Sequence, residues 1–177
     1  MSTPTATPRT AAQVLVDGLI ANGVDTVFGV PGESYLSVLD ALHDTDIQFV
    51  NCRQEGGASM MAAAHGRLTG QPGICMVTRG PGATNASSGV QVAYQDSLPM
   101  ILFIGQVARD QADREAFQEI DYRRLYGQMA KWVAQIDDPS RVAEYVSRAF
   151  HTAISGRPGP VVLALPEDML REAVQAI

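Results

Sequence analysis

A glutamate stands at position 55 in the run Cys52-Arg53-Gln54-Glu55-Gly56-Gly57-Ala58, directly after the apolar stretch Ile47 to Val50. The residues that follow are small, so Glu55 opens what reads as a buried helix, and an ionisable carboxylate in such a place is a candidate for proton transfer. The plainer account is helix chemistry, since an acid in the first turn is stabilised by the backbone dipole. Neighbouring motifs decide between the two.

Gly80-Pro81-Gly82 lets backbone come close to a ligand and leads into a helix whose free N–H groups favour anions. It is not a Walker A loop, which ends Gly-Lys-Ser/Thr. Nor is it the dinucleotide fingerprint, which needs a third glycine where this chain has Asn85. On its own, Gly-Pro-Gly reads as a tight strand-to-helix turn. Cys52 and Cys75 lie in or beside apolar runs without Cys-x-x-Cys or Cys/His spacing, which predicts buried free thiols and no metal site.

The elements that position these groups follow from periodicity. Thr10-Ala11-Ala12-Gln13 is a capping box that opens an apolar helix ending near Gly23. Six short runs read as mostly parallel strands, because most are too continuously apolar for a one-sided sheet: Thr26 to Val30, Ile47 to Val50, Ile74 to Thr78, Met100 to Ile104, Lys131 to Ile136 and Val161 to Leu165. Between them, Ser34 to His43, Glu55 to Thr69, Ala83 to Asp96 and Ser140 to Ser155 carry apolar residues at helical spacing. The alternation predicts an α/β fold: a doubly wound, mostly parallel six-stranded sheet with helices on both faces. Ligands of such sheets bind beyond the carboxyl ends of the strands, where Gly29 to Ser34, Glu55, Thr78 to Asn85 and Gly105-Gln106-Val107 would line one edge. Gln106 to Glu119 is polar and aperiodic, a candidate functional loop. The small residues between Gly56 and Gly66 fit two uses about equally, close packing within the chain or a helix seam between subunits.

The chain has 177 residues, 46% hydrophobic and 18% charged, with a formal charge of −6, which describes one globular domain over residues 10–177 behind a flexible leader over residues 1–9. The acidic balance leaves no electrostatic footprint for nucleic acid. No run approaches the roughly 20 apolar residues of a membrane span, and a cytoplasmic location is expected.

Taken in order, Val27-Phe28-Gly29-Val30-Pro31-Gly32, Arg53-Gln54-Glu55-Gly56-Gly57-Ala58, Gly80-Pro81-Gly82-Ala83-Thr84-Asn85, Gly105-Gln106-Val107, Ala116-Phe117-Gln118-Glu119 and Gly156-Arg157-Pro158-Gly159-Pro160-Val161 resemble the N-terminal, pyrimidine-binding domain of thiamine-diphosphate enzymes of the acetolactate synthase group. The resemblance covers about Thr10 to Leu170 and implies the thiamine-diphosphate-binding fold. It implies that Glu55 hydrogen-bonds a ring nitrogen of the cofactor's aminopyrimidine and favours the imino tautomer, which activates the thiazolium carbon for attack on a 2-keto acid. It also implies cofactor-binding roles for Val30, Pro31, Pro81, Asn85 and Gln118, and substrate-access positions at Glu33, Phe117 and Lys131. Each of these also has a structural alternative: Pro31 a turn, Asn85 a cap, Phe117 core, Lys131 a solvated strand end.

Two departures stand out. Pro31-Gly32-Glu33-Ser34 replaces the Pro-Gly-Gly-Ala usual in acetolactate synthases, and Trp132 replaces a residue that is often polar there. Nothing here resembles the Gly-Asp-Gly stretch that holds Mg2+ and the cofactor's diphosphate, so no metal ligand is expected on this chain. The resemblance therefore implies the N-terminal part of a 2-keto-acid decarboxylase or carboligase, inactive alone, whose diphosphate-binding domain comes from another subunit of a homodimer or homotetramer. It admits FAD in a middle domain. The alternatives are a separate pyrimidine-domain subunit of a two-chain decarboxylase, or a non-catalytic binding module on the same fold.

Overall fold

The computed structural model describes residues 8–174. A two-residue strand, β1 (Arg9–Thr10), runs into helix α1 (Ala11–Ala21), whose capping box is formed as expected: the Gln13 amide donates to Thr10 Oγ1 at 3.2 Å and the Thr10 amide to Gln13 Oε1 at 3.0 Å. Then follow β2 (Thr26–Gly29), α2 (Leu36–His43), β3 (Gln48–Asn51), α3 (Glu55–Thr69), β4 (Gly73–Val77), α4 (Gly80–Gln95) and β5 (Met100–Gln106). The chain continues through α5 (Tyr122–Tyr126), β6 (Trp132–Gln135), α6 (Val142–Ile154), β7 (Pro160–Pro166) and β8 (Ala173–Val174).

Six strands form one sheet in the order β3-β2-β4-β5-β7-β6, and every neighbouring pair is parallel. Side chains of successive strand residues point to opposite faces, so each central strand feeds two cores. In β5, Ile101 and Phe103 join Leu15, Leu19, Val38, Val146 and Phe150 of α1, α2 and α6, while Met100, Leu102 and Ile104 join Ala58, Ala62, Ala86 and Val90 of α3 and α4. The expected doubly wound architecture, with helices on both faces, is what forms.

The small residues of α3 are used within the chain. Its buried positions Gly56, Ala58, Ser59, Ala62, Ala63 and Gly66 let α4 and the sheet come close. A Cβ on Gly89 of α4 would lie 2.2 Å from Ser59 Oγ, and one on Gly73 would lie 1.9 Å from the Ala62 carbonyl oxygen. The outer face of α3 instead exposes Met60, Met61 and Leu68.

Some elements differ from expectation. Helix α4 starts at Gly80 and not Ala83, so Gly-Pro-Gly forms its first turn, with Pro81 at a position where its fixed φ suits a helix and its missing N–H costs nothing. Arg9 pairs with Val174 and Thr10 with Ala173 in an antiparallel ribbon, so Arg9 belongs to a strand and not to the leader; residues 1–7 lie outside the described residues. Cys75 is fully buried and burial pushes its thiol up, whereas Cys52, expected to be buried, is only half so. Among the described residues no helix is long and apolar enough to cross a membrane.

Candidate active site

Strand order reverses at β2, which lies between β3 and β4, and the segments leaving these three strands meet at their carboxyl ends. The Cys52 amide donates to the Gly29 carbonyl at 2.8 Å and the Val30 amide to the Met76 carbonyl at 3.3 Å, so the turn after β2 is stitched to both neighbours. Gly32 sits against β4's exit: a Cβ there would be 2.5 Å from Thr78 Cβ. Ser34 Oγ lies 2.9 Å from Thr78 Oγ1. The turn therefore crosses the crevice in one fixed path, with Val30 half-buried and Pro31 and Glu33 exposed.

Glu55 is the first residue of α3, held there by the Gln54 side chain, which accepts from the Gly57 amide at 2.9 Å. Its carboxyl group reaches across to α4, where Asn85 Nδ2 donates to Glu55 Oε2 at 2.9 Å. A Cβ on Gly82 would meet Thr78 Cγ2 at 2.9 Å, so the glycine lets α4 begin close against the exit of β4, with Glu55 Oε1 3.5 Å from the same point. Glu55 is half-buried, and Pro81 and Asn85 beside it are exposed. One oxygen is thus oriented by an amide while the other accepts no hydrogen bond among the described residues.

Gln118 arrives from the loop between β5 and α5. Its backbone has φ of +66°, and its carbonyl oxygen would lie 2.7 Å from a Cβ on Gly80, so the glycine is what admits it. Asp113 and Glu115 in the same loop also have positive φ, a conformation that costs a non-glycine residue about 1 kcal/mol or more. The loop is held by Glu119, whose carboxylate accepts from the amides of Asp113 (2.7 Å) and Ala116 (3.1 Å), and by Gln106, which donates to the Ile120 carbonyl at 3.0 Å. Tyr122 Oη accepts from the Gly80 amide at 3.1 Å, and burial pushes its phenol up to about 12 although this hydrogen bond works against the shift. Phe117, at the loop's tip, is 74% exposed and so not core.

Lys131 is not brought to this edge. It precedes β6 at the amino ends of the strands, its amide donating to the Pro160 carbonyl at 2.8 Å. Its ammonium donates to the carbonyls of Thr152 and Ser155 (2.7 Å for the latter) at the end of α6. There it caps a helix, a favourable place for a cation. Trp132, the next residue, packs against Tyr145 with ring centroids 5.5 Å apart, and the Arg148 guanidinium lies 4.2 Å from its ring centroid.

Two charged clusters at the carboxyl edge are not foreshadowed as pairs in the sequence, although Glu33 and the segment Thr78 to Asn85, which contains Arg79, stand out there. Arg79 pairs with Glu33 and with Glu167, the latter at 3.4 Å. Arg109 pairs with Asp168 at 2.7 Å and with Glu172, tying the exit of β5 to the segment before β8. The signal that could have found both is a lone arginine just beyond an apolar strand. A cleft of about 570 Å³, lined by Gln106, Ile120, Tyr122, Gln135 and Ala164 among others, lies beyond β5, β7 and β6. Glu55 does not line it; the half-buried carboxylate lies apart, on the surface where α3 and α4 begin.

That surface fits the pyrimidine end of thiamine diphosphate in its donor chemistry: a carboxylate with one oxygen unengaged, glycines where side chains would obstruct, and exposed proline and asparagine around them. The family model for the N-terminal TPP-binding domain of thiamine pyrophosphate enzymes matches residues 9–125. The chain is 40% identical over 158 residues to the acetolactate synthase isozyme 2 large subunit of Escherichia coli (strain K12), covering 89% of this chain and 29% of that protein. It is 39% identical over 161 residues to the mitochondrial acetolactate synthase catalytic subunit of Saccharomyces cerevisiae, covering 90% of this chain and 23% of that one. It is 40% identical over 158 residues to a probable acetolactate synthase large subunit of Methanocaldococcus jannaschii, covering 89% and 27%. The chain thus spans under a third of the length of these curated relatives.

Proposed function

The chain belongs to the thiamine pyrophosphate enzymes, matching their N-terminal TPP-binding domain, and from that premise we propose that it forms the pyrimidine side of the active site of an acetolactate synthase-like enzyme acting on 2-keto acids. The observation that carries the reading is the Glu55–Asn85 pair at the carboxyl edge, one carboxylate oxygen held and the other open. Bound thiamine diphosphate would supply a nucleophilic carbon for the keto group and an electron sink for loss of carbon dioxide. Glu55 would hold the cofactor's pyrimidine by a hydrogen bond at its open carboxylate oxygen, and Asn85 would fix the carboxylate plane for that contact. Val30 and Pro31 form one wall of the pyrimidine site, Pro81 another, and Gln118 enters from the loop after β5. Glu33 and Phe117 stand on the substrate side.

In this reading the diphosphate and its Mg2+ belong to a diphosphate-binding domain supplied by another subunit of a homodimer or homotetramer, and any FAD to a middle domain. The open face around Glu55 and the exposed Met60 and Met61 on the same helix support a partner surface there. This chain alone would not turn over, and a cytoplasmic site is expected, although the yeast relative is named as mitochondrial.

The test is Glu55→Gln in the full-length protein. Loss of turnover on a 2-keto acid by about 10²- to 10⁴-fold is expected, with thiamine diphosphate still bound in calorimetry and an unchanged circular dichroism spectrum. Activity within a factor of two of the parent enzyme would sink the assignment.

A further inference from the structure

Arg79 is the one arginine among the described residues classed as buried, its side chain 9% exposed. One terminal nitrogen donates to Glu33 in the turn after β2, and the other to Glu167, just beyond β7, at 3.4 Å. A single guanidinium therefore spans from the crevice beside β4 across the end of β5 to β7. The turn can lie there because β5 carries Gly105: a Cβ at that position would be 2.1 Å from Ser34 Oγ. The cation lies underneath and the anions outside, with side-chain exposures of 9% for Arg79, 32% for Glu167 and 68% for Glu33. Arg79 Nε is buried with no hydrogen-bond partner. Burying it so is unfavourable, and the two carboxylates held by the same group offset that cost.

We infer that Arg79 is a positioning and specificity residue: it fixes the turn that carries Glu33, and it offsets part of the negative charge that Glu33 and Glu167 bring to the rim of the site. The inference rests on the proposed function, in which the incoming substrate is itself an anion. An unpaired glutamate at that rim repels a 2-keto acid, whereas a glutamate bonded to a buried guanidinium gives a rigid edge of much weaker field.

The experiment uses the full-length protein loaded with thiamine diphosphate and pyruvate as the probe substrate. It compares the parent with Glu33→Gln, Arg79→Ser and the double variant. With each carboxylate counted as −1 and the guanidinium as +1, the cluster charges are −1, 0, −2 and −1 in that order. KM should follow charge. Arg79→Ser raises it about 3- to 10-fold at low salt, Glu33→Gln lowers it, and the double variant returns to within about twofold of the parent, because rim charges act over roughly a Debye length. The rise should fade in about 0.5 M salt. An unchanged KM in Arg79→Ser, or a double variant as impaired as that single one, would overturn the inference.

A melting-temperature cycle over the same four proteins needs no turnover. Coupling between positions 33 and 79 is expected, and additivity would remove the positioning role. If the parent fails to bind thiamine diphosphate in calorimetry, the functional reading falls, and the melting cycle still decides whether Arg79 holds the turn.

Discussion

At the scale of single residues, the Glu55–Asn85 contact is the most chemically consequential distance, 2.9 Å from amide nitrogen to carboxylate oxygen. Replacing the donor with a second acid, Asn85→Asp, would set one carboxyl group against another where an amide now donates. Turnover of the full-length enzyme on a 2-keto acid should therefore fall about 10-fold or more in Asn85→Asp, and less in Asn85→Ala, which removes the donor without adding an acceptor. Unchanged turnover in Asn85→Asp would remove Asn85 from the site. Both residues were legible in the sequence, because Glu55 follows an apolar strand and Asn85 lies one helical turn beyond Gly-Pro-Gly. Arg79 was not, since its partners are 46 and 88 positions away and only the fold brings them together. Lys131 misled for the complementary reason: its place in the sequence says nothing about which end of the sheet it reaches.

At the scale of elements, the site depends on how closely α3 and α4 cross, because Glu55 opens one helix and Asn85 stands in the first turns of the other. Gly89 sets that distance. A Cβ there meets Ser59 Oγ at 2.2 Å and the Ser59 carbonyl carbon at 2.5 Å, and backbone cannot step aside as a flexible side chain would. Gly89→Ala should therefore cost about 1 to 3 kcal/mol, lowering Tm by roughly 2 to 12 °C. Gly57→Ala is the contrast, since nothing lies within 4 Å of a Cβ there; it should hold or raise Tm by the helix-propensity gain of about 0.5 to 1 kcal/mol. Equal effects would mean that the crossing is slack. Six strand-like runs and five long helices could be read from their periods, yet α5, with five residues, and the two-residue strands β1 and β8 were invisible. Elements that short show no period; tertiary partners choose them.

At the scale of the whole molecule, stability links the sheet to its closing segment through Arg109 and Asp168. Burial would raise the Asp168 carboxyl, but the Arg109 side chain and amide hydrogen-bond to it and hold it below its usual range. A carboxylate lowered in the folded state contributes stability that is complete above its unfolded pKa of about 3.9 and is lost as pH falls through the folded value. Asp168→Asn should thus lower Tm near pH 6, with the gap to the parent narrowing below about pH 4. A gap independent of pH would show that the contact does not act through charge. The doubly wound order could be anticipated because parallel strands alternating with helices admit few arrangements; the salt links laid over it could not, since charge patterning along a chain does not encode who meets whom.

The ribbon of Arg9–Thr10 against Ala173–Val174 has one more consequence. Antiparallel partners lie about 4.5 to 5.5 Å apart at Cα, so a linker of a few residues could join position 8 to position 174. A new opening could be cut at Asp46, exposed in the bend between α2 and β3 at the amino ends of the strands, away from Glu55. Such a circular permutant would keep every strand neighbour and the whole carboxyl edge while making β2, now synthesised first of the six strands, the last of them. An unchanged far-ultraviolet circular dichroism spectrum and cooperative melting of that permutant are expected, because the site is assembled by strand neighbours and not by which strand is made first.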